Sequence, residues 1–265
     1  METGHNAGLS AQINQMRDFT KCNLTKEQSP SDQQKRLTQP PLCKASSSKT
    51  KIPLPTGFDG LPHQDSYLEL LNIRRSERKY TDTAITLEQL AFMLWSTQGV
   101  QSIVGSNYFT LRPVPSGGAR HPFETYVAAR AVEGLPQGLY HYLPLENSLE
   151  YLGELPGYEE TVSAMLAGQT WAAKAPLILF WSCIPYRAEW RYSVFAHRVL
   201  LIDLGHLGQN AMLSASALGL GSCCMAAYDQ AKCDAVLGLD GHEEYTVYAC
   251  AAGTIEKQAP READA

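Results

Sequence analysis

From Ser66 onward the apolar positions fall into segments of two distinct periods. SYLELLNIRRS (66–76) spaces its apolar residues for a helix and predicts one ending near Arg75. Thr86 and Gln89 stand three apart ahead of LAFMLWST, a capping-box pattern that predicts a helix running to Gly99. FETYVAARAV (123–132) is rich in strand formers, and GLYHYLP and SLEYLGE, split by Glu146-Asn147, predict a hairpin. EETVSAMLAG (159–168) reads as a helix. PLILFWSCI (176–184) is a continuous apolar run, the pattern of a strand buried on both faces. A long helix follows over residues 195–220, apolar on most of its surface. SCCMAAY predicts a short strand, DQAKCDAVLGL a helix and YTVYACAAG a last core strand. Mixed helices and strands with hairpin signals favour an α+β layered domain.

Residues 1–56 lack this patterning. They are rich in Lys, Gln, Ser, Thr and Pro, and TQPPLCKASSSKTKIPLPTG (38–57) predicts an extended or irregular arm, because proline removes donors and disfavours helix. The expected organisation is a polar, Pro-rich arm over 1–56, extended or wrapped round a partner subunit, and one domain over 57–265.

Charge narrows the function classes. Net charge is −5, with no clustered basic stripe, which argues against nucleic-acid binding. No apolar run reaches the ~20 residues needed to span a bilayer. The N-terminus lacks the apolar core of a secretory signal, so the expected location is the cytoplasm, with no membrane partner. The seven cysteines are odd in number, irregularly spaced and without a C-x-x-C pair, as for reduced thiols. Cys223 and Cys224 are adjacent, so a strand would point them to opposite faces, which argues against a shared metal.

Three segments carry candidate chemistry. Ile73-Arg-Arg-Ser-Glu-Arg78 places three guanidinium groups and a hydroxyl within five residues, and Arg74 and Arg78 would share a face if the segment were helical. Arginine suits bidentate phosphate contact. Taken alone, the segment is first a solvated turn at a helix end. Arg112-Pro-Val-Pro-Ser-Gly-Gly-Ala-Arg-His-Pro122 precedes a strand; Gly117 and Gly118 permit close backbone approach to a flat ligand, with Arg120 and His121 at the rim, or form an ordinary two-glycine turn. It is neither a Walker A loop nor a dinucleotide fingerprint. In the long helix, Ile202, His206, Gln209/Asn210 and Leu213 share a face; the simplest account of His206 is a satisfied core histidine, and Asp203–His206 alone is a weak metal pair.

In their order and spacing these segments resemble the nitroreductase family, more closely its SagB/thiazoline-oxidase-like dehydrogenase subgroup. The resemblance runs from about Ser66 to Gly253. It is carried by Arg74-Arg-Ser-x-Arg78, Pro115-Ser-Gly-Gly-Ala-Arg-His-Pro122, Trp190-Arg-Tyr192, His197-Arg198…Asp203-Leu-Gly-His206…Gln209-Asn210 and Ala217-Leu-Gly-Leu-Gly-Ser222. It implies a nitroreductase-like FMN-binding fold: a central, mostly antiparallel sheet flanked by helices, with the long helix at a homodimer interface that holds the flavin. Arg74, Arg75, Ser76 and Arg78 match the segment that contacts the FMN phosphate and ribityl chain. Pro115, Ser116, Gly117 and Gly118 match the loop near the isoalloxazine ring, commonly supplied by the other subunit. Ala226 and Ala227 match the segment whose N–H approaches flavin N5, and Lys257 lies where the C-terminal phosphate contacts occur.

The activity implied is hydride transfer by a ping-pong mechanism between NAD(P)H and a small nitro- or quinone-like acceptor, with Arg191 and Tyr192 as the catalytic candidates. Subgroup members that oxidise azolines to azoles in ribosomal peptides carry Lys-Tyr where this chain has Arg191-Tyr192. Arginine stays protonated, so Tyr192 would have to serve alone as acid or base. Azoline dehydrogenation is one alternative; a flavin-binding dimer without turnover is the other.

Overall fold

The computed structural model describes residues 7–21 and 29–256. Its strands are Lys51–Pro53 (β1), Ser102–Val104 (β2), Phe109–Leu111 (β3), Phe123–Ala129 (β4), Gly138–Leu143 (β5), Ser148–Gly153 (β6), Leu177–Cys183 (β7), Gly221–Met225 (β8) and Tyr245–Gly253 (β9). Its α-helices are Ala7–Thr20 (α1), Tyr67–Ile73 (α2), Leu87–Gln98 (α3), Tyr158–Met165 (α4), Thr170–Ala173 (α5), Tyr186–Tyr192 (α6), Ala196–Ala217 (α7) and Gln230–Leu237 (α8). Seven strands form one sheet in the order β1-β6-β5-β4-β7-β9-β8, and β2 pairs with β3 apart from it. All these pairings are antiparallel.

The continuous apolar runs occupy the middle of the sheet for the reason their pattern suggests. β4 and β7 are buried at every position, because helices cover both faces. On one face α3 and α7 pack Leu90, Met93, Leu94, Leu200, Leu204 and Leu207 against Val127, Leu179, Trp181 and Cys250. On the other, α4 and α8 pack Val162, Met165, Cys233 and Leu237 against Tyr126, Phe180, Ala249 and Ala251. The capping box at Thr86 and Gln89 forms as expected. The mixed α+β architecture with a long helix across the sheet is the one expected.

Residues 38–57 are extended, and β1 within them adds an edge strand to the hairpin partner β6. The stretch before it clasps α6. The N–H of Gln33 donates to the Trp190 carbonyl (2.7 Å), the Trp190 indole donates to the Leu37 carbonyl (3.0 Å), and the Lys44 N–H donates to the Glu124 carboxylate (2.7 Å). Glu124 belongs to a buried ionic network. It accepts from Arg187 of α6 at 2.5 Å and lies 3.1 Å from one ring nitrogen of His141, whose other nitrogen is 2.7 Å from Glu150. Burial pulls His141 down, but the hydrogen bonds and charges of Glu124 and then Glu150 outweigh it and raise the imidazole above its ordinary value.

One sequence expectation on α7 changes. Its buried face carries Leu200, Asp203, Leu204, Leu207 and Ala211, whereas Leu201, Ile202, Gly205, His206 and Gln209 are exposed. His206 is therefore not a core histidine. The surface of the single chain is apolar there only because Leu201 and Ile202 flank it. No described helix is long and apolar enough to cross a membrane.

Candidate functional site

Helix α2 starts under the Ser66 hydroxyl and stops at Ile73, with Arg74 already extended at φ −56°, ψ 122°. The segment is not helical, so Arg74 and Arg78 share no helix face. The segment instead lies along the free edge of β8: Ser76 bridges Ser222 in parallel and the Glu77 N–H donates to the Ser222 carbonyl at 2.9 Å. Gly221 makes this approach possible, since a Cβ there would sit 2.8 Å from that of Glu77 and 2.4 Å from Ile255 Cγ2. Arg75 donates to the Arg74 carbonyl (2.8 Å), and the Arg78 guanidinium lies 5.7 Å from the Trp171 ring centroid. Among the described residues none of the three arginines joins an ion pair.

Beneath them the Ser222 hydroxyl is buried and has no hydrogen-bond partner. A buried hydroxyl without a partner is costly. An oxyanion brought in by a ligand beside unpaired guanidinium groups would satisfy it. Ala226 and Ala227, exposed, follow the opposite end of β8. At the rise of a strand, Ala226 lies ~13 Å beyond Ser222. On the α7 side of β8, the neighbouring Cys250 thiol, then Tyr248 and the Arg74 charge, hold the Cys224 thiol below its usual range. Cys223 and Cys224 do face opposite ways, with Cys224 reaching Gly208 of α7 and Cys223 joining the edge near Ser76 and Arg78.

A second cluster forms at the other end of α7. Both oxygens of Asp203 accept from the Gly117 N–H (3.1 and 2.9 Å), and Oδ2 accepts from the Ser116 hydroxyl at 2.7 Å. The Ser116 oxygen accepts in turn from the His121 N–H at 3.0 Å. This anchors the turn that begins at Pro115. Gly118 has φ +60°, and a Cβ on it would lie 2.6 Å from Arg191 Cδ and Nε and 2.8 Å from the Tyr192 hydroxyl. Arg191 and Tyr192, the last turn of α6, thus lean directly on the glycine turn. Ala119 (φ 53°), His121 (φ 44°) and Ser193 (φ 49°) all adopt left-handed angles here, a concentration of backbone strain typical of functional sites.

Arg120 and His121 are not at the rim. Arg120 is 4% exposed, donates to the carbonyls of Gly118 and Tyr108, and lies over the rings of Tyr108 and Trp190. Burial, with the Arg112 charge, pushes His121 down to about 3, so its ring stays neutral. Asp203 and Ser222 escaped the sequence reading as site residues. An acid on the apolar stripe Leu200–Leu204–Leu207 was a usable signal for Asp203; nothing in the pattern singled out Ser222. Asp203 is buried and His206 exposed, and no group of three or more metal-ligating side chains exists among the described residues. Lys257 lies outside the described residues.

Residues 71–254 match the model of the nitroreductase family. The chain is 34% identical to the nitroreductase-like protein MJ1384 of Methanocaldococcus jannaschii over 161 residues, 60% of this chain and 78% of that protein. It is 29% identical over 134 residues to McbC, the microcin B17-processing protein of Escherichia coli, a match spanning 49% of each chain. A nitroreductase-family crystal structure from Ralstonia eutropha superposes with a TM-score of 0.63 at 22% identity, covering 84% of this chain and 96% of that one. The chain belongs to the nitroreductase family.

Proposed function

We propose that the protein is an FMN-dependent oxidoreductase that exchanges hydride between NAD(P)H and a small nitro- or quinone-like acceptor in a ping-pong cycle. The observation that carries the reading is the set of three arginines, Arg74, Arg75 and Arg78, outside any ion pair among the described residues and laid along β8 over the partnerless Ser222 hydroxyl. These groups suit a phosphate: the arginines offer charge and forked donors, and Ser76 and Ser222 add neutral ones. Ala226 and Ala227, at the far end of the same strand, are spaced to meet the ring end of an extended ligand, where a backbone N–H would donate to N5. FMN, when bound, supplies the two-electron hydride chemistry; the chain supplies binding, orientation and electrostatics.

Two copies complete the site in this reading. α2 buries none of its residues, and its Tyr67, Leu68, Leu71 and Ile73 are exposed, as are Val194 just before α7 and Leu201 and Ile202 in its first turns. An apolar surface of this size suits a homodimer, with the Pro115–Gly118 turn of one copy facing the β8 edge of the other. The reduced cysteines suit the cytoplasm.

Purified protein is expected to be yellow, and anaerobic NADH or NADPH to bleach it. Arg74→Ala should weaken flavin retention about tenfold or more, with Lys35→Ala unchanged. Colourless protein that takes up no added FMN would sink the reading, and flavin bleached by neither nicotinamide would favour a binding dimer without turnover. A second reading, azoline-to-azole dehydrogenation, is favoured by the similarity to McbC. It would give the Tyr192 hydroxyl the proton-transfer role, and Tyr192→Phe should then abolish azole formation with flavin retained.

A further inference from the structure

The Arg191 end of the site holds positive charge that the chain itself does not neutralise. Among the described residues the Arg191 guanidinium makes no hydrogen bond or ion pair; it lies beside Gly118 and 5.6 Å from the Tyr192 ring centroid. Arg120, close by, is buried yet has only backbone carbonyls as acceptors. Burial first, and then repulsion from Arg191, lower its proton affinity. The acids of the neighbourhood are committed elsewhere. Asp203 is turned under the glycine turn to Ser116 and Gly117, and Glu189 faces His197 at 3.0 Å. Arg120 and Arg191 therefore flank the same residue, Gly118, without a carboxylate partner among the described residues, an arrangement that an incoming anion would relieve.

The donors around that volume are also unused. Neither the Tyr192 hydroxyl nor the Gly118 N–H donates to any acceptor among the described residues. The absence of a side chain on Gly118 lets its backbone lie directly against the Arg191 guanidinium stem and the Tyr192 hydroxyl, which gathers the three donors together. A guanidinium fork with a hydroxyl and an N–H beside it matches a planar, two-oxygen anion.

We propose that Arg191, assisted by the Gly118 N–H and the Tyr192 hydroxyl, binds a carboxylate of the substrate, so that the acceptor is an organic acid. Arg191 is then a specificity-determining residue. The place of the carboxylate relative to the reacting atoms rests on the oxidoreductase reading above; the anion site itself does not.

Two experiments on the full-length protein separate these claims. The first needs no turnover: titration with benzoate and with neutral benzamide, followed by calorimetry. Benzoate should bind about tenfold or more tighter than benzamide, and Arg191→Gln should erase the difference while Arg191→Lys keeps part of it. The second compares steady-state reduction of 4-nitrobenzoate and its methyl ester. Arg191→Gln should raise KM for the acid about 10- to 100-fold and leave that for the ester unchanged. Equal binding of benzoate and benzamide, or a preference that survives Arg191→Gln in protein with a wild-type melting curve, overturns the proposal. So does an Arg191→Gln defect confined to NADPH against NADH, which would assign the charge to the nicotinamide phosphate. Protein that holds no flavin defeats the oxidoreductase reading and leaves the benzoate titration able to decide this one.

Discussion

Gly117→Ala isolates the packing that holds the glycine turn. Gly117 has no left-handed φ, so alanine meets no backbone penalty and the effect is purely one of space. The new Cβ would lie 2.3 Å from Val199 Cγ1, which is 1.1 Å short of the 3.4 Å at which ordinary contact begins. Val199 is β-branched and sits on α7, where essentially one rotamer is open to it, so it cannot swing aside. The turn must move instead, and movement stretches the Gly117–Asp203 hydrogen bonds of 2.9 and 3.1 Å. Overpacking of this kind costs about 1–3 kcal/mol. Loss of glycine freedom in the unfolded chain returns about 0.4–1 kcal/mol. A net loss of about 1–2 kcal/mol lowers Tm by roughly 2–8 °C in a domain of this size. A displacement near 1 Å should also lower kcat/KM by up to about 10²-fold, because this turn is the one proposed to face the flavin ring. Val199→Ala removes the obstructing methyl, so Gly117→Ala/Val199→Ala should recover both Tm and rate beyond the sum of the single changes. Thermal melts and acceptor kinetics on the four proteins decide it. Wild-type behaviour of Gly117→Ala, or strict additivity in the double variant, would refute the packing argument.

Other consequences follow from the same structure. Ser222→Ala should move two quantities in opposite directions: removing a buried partnerless hydroxyl stabilises the flavin-free protein by up to about 1 kcal/mol, and flavin affinity falls severalfold. A joint fall in both would deny Ser222 a place at the phosphate. His141→Leu takes one partner from each of Glu124 and Glu150, which keep Arg187 and the Ser46–Ser48 donors, and should cost about 1–3 kcal/mol by urea unfolding. In the wild type the raised His141 contributes fully below about pH 6.5 and loses that contribution as pH rises through its folded value. Burial pushes Glu124 and Glu150 up, but Arg187 and His141 for the first, and His141 with the Ser46–Ser48 donors for the second, leave both depressed. Their share is present above about pH 4.3 and lost as pH falls through their folded values. Stability should accordingly be highest between about pH 4.3 and 6.5, and His141→Leu should flatten the alkaline side; an unchanged alkaline limb would show that His141 carries no charge. Because His121 is held neutral near neutral pH, replacing it with glutamine should leave the pH–rate profile between about 5 and 8 without a lost limb.

The periodicities alone determined most of the architecture. Continuous apolar runs at 177–183 and 245–253 read as buried strands, the Thr86–Gln89 box marked the start of a helix, and Glu146-Asn147 marked a hairpin, because each signal is local and acts through backbone hydrogen bonding or burial of a single face. The order of the Arg74, Ser116 and Ser222 segments likewise pointed to the family before any coordinates. What the chain pattern could not determine was what each polar group meets. Arg74–Arg78 is an extended edge partner of β8, and no helical spacing reveals a bridge between Ser76 and Ser222 across 145 intervening positions. His206 looked buried because its neighbours are apolar, yet only the packing of α7 on α3 and the sheet decides which side of that helix faces water. Asp203 seemed a stray acid until the fold brought the 115–118 turn onto it. The free charge of Arg191 is a tertiary fact of the same kind, since it depends on where Asp203 and Glu189 turn. Local sequence sets backbone preference and burial; partnership between charges, which decides chemistry, arises only when distant segments are packed together.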